Sequence, residues 1–395
     1  MGFGAIVNLL WLALLGPLLL PGQTVAPGFE HFYSMEYEEA IAVFQKEIAA
    51  RPNDPAGYNH LAQALLYREM DRAGALESEL VTGNNPFLRR GKIAASPAEQ
   101  KRFDDAIGRA IALCEARVQA NAGDVDAVYL LSVAHGLKAN YNFLVRRLWR
   151  ESLKQFTLSR KLSMQVTAAD PRRVDAYLVQ GVHDYIVGSL PFGWKLLGFL
   201  IGFHGDKEGG LRTVERVAKQ GDKNKFDAMI ALAVAYRRER HAERAVPLLL
   251  ELMRWFPRNY LFRLELVQMY GDLGRREEAL AVLARMDQLK REGAAGYKTL
   301  PAGKIQYARG NLLFWYRDYA GAIENLTKVT QGGDELDVNT AMNAWMRLGQ
   351  SYDLLGQRAK ALAAYRQAVS AAPESDAGRE SKRYLSTPYR RSAEL

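Results

Sequence analysis

Residues 341–373 read AMNAWMRLGQSYDLLGQRAKALAAYRQAVSAAP, and this stretch decides the fold. Trp345, Leu348 and Tyr352 recur three or four residues apart, so they share one face of a first helix. Gly356 is a terminator between two halves, and Pro373 closes the second half because proline has no N–H with which to continue a helix. Tyr365 and Ala368 project from the second helix into the same seam. Gly349 and Ala361 are small where two antiparallel helices must approach closely. The unit is a helical hairpin.

The same spacing returns upstream. Tyr236, Ala245-x3-Leu249 and Pro257 keep it, Tyr270 with Ala279-x3-Leu283 begins one period later, and Gly310 with Ala322-x3-Leu326 preserves the Gly-to-Ala distance. Pro247 falls inside a second helix and predicts a late start or a kink there. Residues 376–395 read as a short polar capping helix and a tail, which the end of a stacked array needs.

Toward the N-terminus the copies weaken. Ala40-x3-Phe44 and Pro52 form a second half, and Asn53-Asp54-Pro55 caps a first helix carrying Tyr58, Leu61, Ala62 and Leu65. A turn-rich insertion over 74–100 delays its partner, which runs from about Pro97 to Asn121. Asp124 starts the next first helix, through Tyr141, and Glu151 to Ala169 is its partner. Tyr177-x2-Gln180-Gly181 opens a fourth pair, interrupted over 186–205. Ile186 to Phe203 reads IVGSLPFGWKLLGFLIGF, with Lys195 its only charge, before a second helix capped by Asp206 resumes and reaches about Gln220.

Taken together, Trp345-x2-Leu348-Gly349-x2-Tyr352, Ala361-x3-Tyr365 and Pro373 resemble the tetratricopeptide repeat superfamily, closely from about Phe226 onward and more loosely before it. The resemblance implies an all-α, right-handed solenoid of seven to eight antiparallel helix pairs. It also implies a concave groove, lined by the first helices, that receives a peptide or protein. Carried over by register, the groove candidates are Tyr185, Asp227, Arg237, Arg238, Gln268, Lys304, Tyr307, Asn311, Trp315, Asn343 and Gln350. Asn311 and Gln350 share a register in neighbouring repeats, suited to hydrogen-bonding an extended peptide backbone; the plainer reading leaves the whole set as solvated surface. The Lys and Asn set by which some relatives clamp a terminal carboxylate is not reproduced, since Ile230 and Val234 stand in its place.

Residues 1–26 carry no charged side chain, Ala5 to Leu20 is an apolar run broken by Gly16-Pro17, and Thr24-Val25-Ala26 has the small residues of a cleavage site. This reads as a secretory signal peptide, the run being short for a membrane span. The missing Lys or Arg before the run keeps an uncleaved anchor or a misplaced start codon as alternatives. The expected layout is a signal peptide over 1–26, degenerate repeats over 27–225, regular repeats over 226–375 and a cap over 376–395. The mature chain then begins near Pro27 and is exported to the periplasm or cell envelope.

The chain has 395 residues, a formal charge of +9 and one cysteine, Cys114. A single cysteine excludes an internal disulfide framework and a Cys-cluster metal site. The basic residues, such as Arg146, Arg147, Arg150, Lys154, Arg160 and Lys161, are dispersed along helices without an aromatic-rich motif, which speaks for solvated faces and against nucleic acid. His135 and His183 fall at nearly the same depth of adjacent first helices, so they could approach each other. No His-x3-His or HExxH accompanies them, so core or groove histidines are expected rather than a metal site. Gly205-Asp206-Lys207-Glu208-Gly209-Gly210 lacks the Gly-Lys-Ser/Thr ending of a phosphate loop and reads as a helix cap. With no G-x-S-x-G element, paired catalytic carboxylates or Cys–His arrangement, neither catalysis nor a cofactor is expected.

Two functions follow. One is a protein-interaction scaffold of the cell envelope, binding in the groove. The other is handling of an apolar ligand, a transport system or a membrane surface through 186–203, where Leu190, Phe192, Trp194, Leu197, Phe199 and Phe203 leave no polar face for water. At roughly 1.5–3 kcal/mol per large apolar side chain, that segment must be covered. Folding back over the concave face near His183 and Tyr185 is the expected solution, with a bilayer interface or a partner as alternatives.

Overall fold

The computed structural model describes residues 25–76, 93, 95–189, 205–332 and 336–391. Among these the secondary structure is helical, without strands. Eight hairpins follow in order among the described residues: α1 (Pro27–Tyr33) with α2 (Tyr37–Ala50), α3 (Pro55–Arg72) with α4 (Pro97–Ala120), α5 (Val125–Tyr141) with α6 (Trp149–Ala169), α7 (Tyr177–Gly188) with α8 (Lys207–Gln220), α9 (Lys225–Arg238) with α10 (Ala242–Trp255), α11 (Tyr260–Asp272) with α12 (Arg276–Arg291), α13 (Ala302–Trp315) with α14 (Tyr319–Gln331), and α15 (Val338–Leu354) with α16 (Arg358–Ala371). A last helix, α17 (Asp376–Ser386), packs on α16 and α15. Each helix packs mainly on its neighbours in sequence, which is the organisation of a solenoid.

Local chemistry sets the helix starts. Asp54 Oδ1 accepts from the Ala56 N–H at 3.0 Å, Asp124 Oδ1 from Ala127 at 2.9 Å, and Asp337 Oδ1 from Thr340 at 3.0 Å. Ser96 and Glu99 form a reciprocal capping box before α4. Two expectations need correction. Asp206 precedes α8, but its carboxylate makes no capping bond there, so the Gly205–Gly210 run is not a side-chain cap. Pro247 does not delay its helix: α10 starts at Ala242 and continues to Trp255 with Pro247 in its second turn.

The quoted stretch packs as its spacing demands. Ala361, Tyr365 and Ala368 are buried in the α15–α16 seam, and a Cβ on Gly349 would lie 2.5 Å from Tyr365 Cε1, which is why that position has no side chain. The α5–α6 seam is built differently. Ser159 Oγ donates to the Ser132 carbonyl at 2.7 Å, Ser132 Oγ returns to the Ser159 carbonyl at 2.8 Å, and Ser152 Oγ reaches the Ala139 carbonyl at 2.9 Å. Small hydroxyls thus hold these two helices together, while Trp149, Leu153 and Met164 of α6 are exposed.

The array also curls onto itself. One apolar cluster includes Phe32 and Tyr33 of α1, Phe44 of α2, Leu65 of α3, Phe256 after α10 and Ile305 of α13. The Tyr33 ring lies 4.9 Å from that of Phe256 and 5.4 Å from that of Phe226. Asn259 Nδ2 donates to the Tyr33 carbonyl at 2.7 Å, and the Arg258 guanidinium bonds Glu36 at 2.8 Å and Glu30 at 2.9 Å. Farther along, Asn339 Nδ2 donates to the Ala73 carbonyl at 3.2 Å. Gly74, with φ of 60°, sits so close to the Asp337 carboxylate that any side chain there would collide with it. The helices α1–α3 therefore lie against the N-terminal ends of α9, α11, α13 and α15.

Candidate functional site

The inner side of this curl holds the predicted groove register, and much of it is not open. Tyr307, Asn311, Gln350, Arg237 and Tyr185 are buried. Arg237 donates to Gln268 Oε1 at 3.0 Å and to Asp272 at 3.3 Å, and Gln350 Oε1 accepts from Arg347 at 2.8 Å. Lys304 pairs with the buried Asp337 at 2.9 Å, and Tyr185 Oη donates to Glu239 at 3.1 Å. At the N-terminal ends of this register the chain's own α1 and α3 come close, Asp227 meeting Tyr33 and Gln63 and Lys304 lying near Asp71. Asn343 is half-buried, whereas Arg238 is exposed and Trp315 is 41 % exposed. Arg347 lies over the Trp315 ring at 4.9 Å and Arg391 at 5.3 Å, so this indole stands between two guanidinium groups at the end of α13.

Each of the two histidines has a hydrogen-bond partner close to it. His135 Nδ1 bonds Gln155 at 2.7 Å, and His183 Nδ1 bonds Asp184 at 2.9 Å with its ring against Phe156. Burial lowers the pKa of both. Among the described residues no three His, Cys, Asp or Glu side chains are grouped to hold a metal ion, and no helix is long and apolar enough to cross a membrane. Leu190, Phe192, Trp194, Leu197, Phe199 and Phe203 lie outside the described residues, as does most of 74–100 and nearly all of 1–26.

Where α1, α3, α5 and the start of α9 meet, they enclose a cavity of about 430 Å³. Phe29, Phe226, Trp255 and Val133 supply apolar wall; Asn59, His60, Gln63, Tyr129 and Asp227 supply polar groups, and Asp222, Lys223, Asn224 and Lys225 also line it. Burial pushes the Asp227 carboxyl up to about 6, although the Tyr33 hydroxyl and the Gln63 side chain facing it favour the charged form. His60 is driven down by burial, which outweighs its Glu47 partner at 3.4 Å. Of these residues only Asp227 was picked out by register. Asn59, Gln63 and Tyr33 were missed because they sit on other elements; the one available signal was an amide at an inward position of the first helix, beside Leu61 and Ala62.

The comparisons bear on the fold. The tetratricopeptide repeat family model matches residues 342–375, the quoted hairpin. The last hairpin, α15–α16, is thus similar to a tetratricopeptide repeat. No curated protein sequence matches the chain. Among solved structures, yeast Tom70 is similar over 90% of this chain and 86% of its own, at 11% identity and a TM-score of 0.40. The human IFIT1 dimer with m7Gppp-AAAA is similar over 92% and 81%, at 12% identity and a TM-score of 0.45. The C-terminal part of a TPR repeat-containing protein from Cytophaga hutchinsonii is similar over 90% and 97%, at 14% identity and 0.31.

Proposed function

We propose that this repeat protein is a non-enzymatic protein-interaction scaffold of the cell envelope, and that its partner, a peptide or protein, engages the inner side at the ends of the first helices. The observation that carries this reading is Trp315. An indole 41 % exposed between Arg347 and Arg391 has the composition of an interface anchor, since tryptophan and arginine dominate such contacts. Arg238, exposed at the end of α9, belongs to the same register. The test is co-purification from envelope fractions with the full chain. Trp315→Ala should reduce recovery of the partner about tenfold, or about 1.4 kcal/mol, with the melting temperature unchanged. Equal recovery from Trp315→Ala, or mature protein found only in the cytoplasm with Met1 intact, defeats the respective half of the reading.

A second reading, contact with an apolar ligand or membrane surface, is favoured by the exposed Leu148, Trp149, Leu153 and Met164 at α6 and Ile186 at α7. Trp149→Ser with Leu153→Ser would abolish sedimentation with lipid vesicles if it is right and leave no effect if it is wrong.

A further inference from the structure

The cavity between α1, α3, α5 and α9 plays no part in the scaffold reading, and it contains a buried acceptor that no protein donor reaches. Asn59 is 2 % exposed, and its Nδ2 donates to the Leu130 carbonyl at 2.9 Å. That bond fixes the amide, because only the nitrogen can face a carbonyl. It leaves Oδ1, a buried acceptor in a cavity-lining residue, with no donor in the protein. The second acceptor is the Asp227 carboxyl, with Asp175 adding negative potential behind it. Two lysines, Lys223 and Lys225, also line the cavity, and Lys223 is close enough to His60 to act on its charge. Lys225 Nζ is 3.2 Å from Glu251, His60 faces Glu47, and Lys223 is exposed beside Asp222.

An orphaned buried acceptor costs about 1–3 kcal/mol, and a carboxylate beside three aromatic rings favours a cation over an anion. The volume lies in the range of small-ligand sites. We propose that this cavity binds an organic ammonium: a primary amine on an apolar or aromatic body, either a free amine or the α-ammonium of a peptide chain. The ammonium brings three N–H donors and no acceptor. One bonds Asp227 with charge assistance and one bonds Asn59 Oδ1, while the body packs on Phe29, Phe226 and Trp255. A carboxylate or phosphate ligand is disfavoured by Asp227. The site is independent of Trp315, so it stands whether or not a protein partner docks there.

Calorimetry on the full chain at pH 7.5 tests it, with four probes: phenethylamine, N-acetylphenethylamine, the tripeptide Phe-Ala-Ala and its N-acetylated form. The charged amine or the free tripeptide should bind, and the acetylated counterpart about tenfold or more weakly. Binding of phenethylamine identifies a free amine as a sufficient ligand; binding of the tripeptide alone identifies a chain end. Asp227→Asn, which keeps the shape, should lose about tenfold in affinity, and Val133→Trp, which fills the cavity and leaves the carboxylate, should block binding. The two variants guard against a single misfolded one, with the melting temperature as the check. No binding of either free amine, equal binding of the acetylated forms, or wild-type affinity in either folded variant overturns the proposal.

Discussion

At Asp353 a side chain 1 % exposed accepts Tyr365 Oη at 2.9 Å, the Tyr389 N–H at 2.8 Å and the Arg358 guanidinium at 3.0 Å. Arg358 in turn donates to the carbonyls of Tyr384 and Leu385 at 2.6 and 3.0 Å, tying the end of α17 to the last hairpin. A carboxylate this enclosed is tolerable only because its lone pairs are filled. Asp353→Ala should therefore cost about 3 kcal/mol, read by denaturant unfolding, with amide exchange rising first in α16 and α17. A loss below about 0.5 kcal/mol would show the cluster to be incidental. At the fully buried Ala361, Ala361→Leu presses on the seam that Gly349 keeps open for Tyr365, at roughly 1–3 kcal/mol. Because repeats couple chiefly to neighbours, its exchange signature should stay within α13–α17. Uniform acceleration along the chain would contradict that.

The element that changes the molecule most is α1, seven residues long and absent from the periodic reading. Its residues carry no repeat spacing, so no pattern marked it; its tie to Arg258 and Asn259 joins positions 222 to 228 apart, which local periodicity cannot report. Arg258→Ala with Asn259→Ala should loosen this contact and raise the radius of gyration in small-angle scattering, whereas an unchanged value would mean the apolar cluster alone holds α1. The contact of α3 with α13 and α15 has a pH dependence of determinable sign. Burial, with Asp337 adding to it and Lys304 opposing, lifts the Asp71 carboxyl from 3.8 to about 6. The native state thus keeps a proton that the unfolded chain releases, and this group's contribution falls as pH rises from about 4 to about 6. The lowered histidines His60, His135 and His183 act oppositely below their ordinary pKa of 6.5, so the comparison must be site-specific. Asp71→Asn should match the wild type near pH 4 and exceed it by about 1–2 kcal/mol at pH 7 in denaturant titrations. A constant difference across that range would remove Asp71 as the source.

Over the whole molecule, the hairpins from Phe226 onward were legible because seam spacing is a local property: Tyr236, Ala245 and Leu249 find their partners within one repeat, and all three are buried. The Ser132–Ser159 seam was not, since serine on a helix gives no apolar period even when it holds two helices together. The covering of the first-helix register was not legible in the sequence, because Asp227 and Lys304 meet residues of α1 and α3 that only the curl brings near. The cavity was invisible for the same reason, its wall being drawn from helices far apart in sequence. That curl also imposes an order on biosynthesis. Arg258 is made 228 residues after Glu30, a gap of roughly 10–50 s at ordinary translation rates. For most of that interval Tyr33 lacks the Phe226 and Phe256 rings that it packs on, so the nascent N-terminal hairpin is an aromatic surface waiting for its own downstream sequence. A ribosome-stalled chain ending before Arg258 should bind a hydrophobic chaperone, and one stalled well beyond Asn339 should release it.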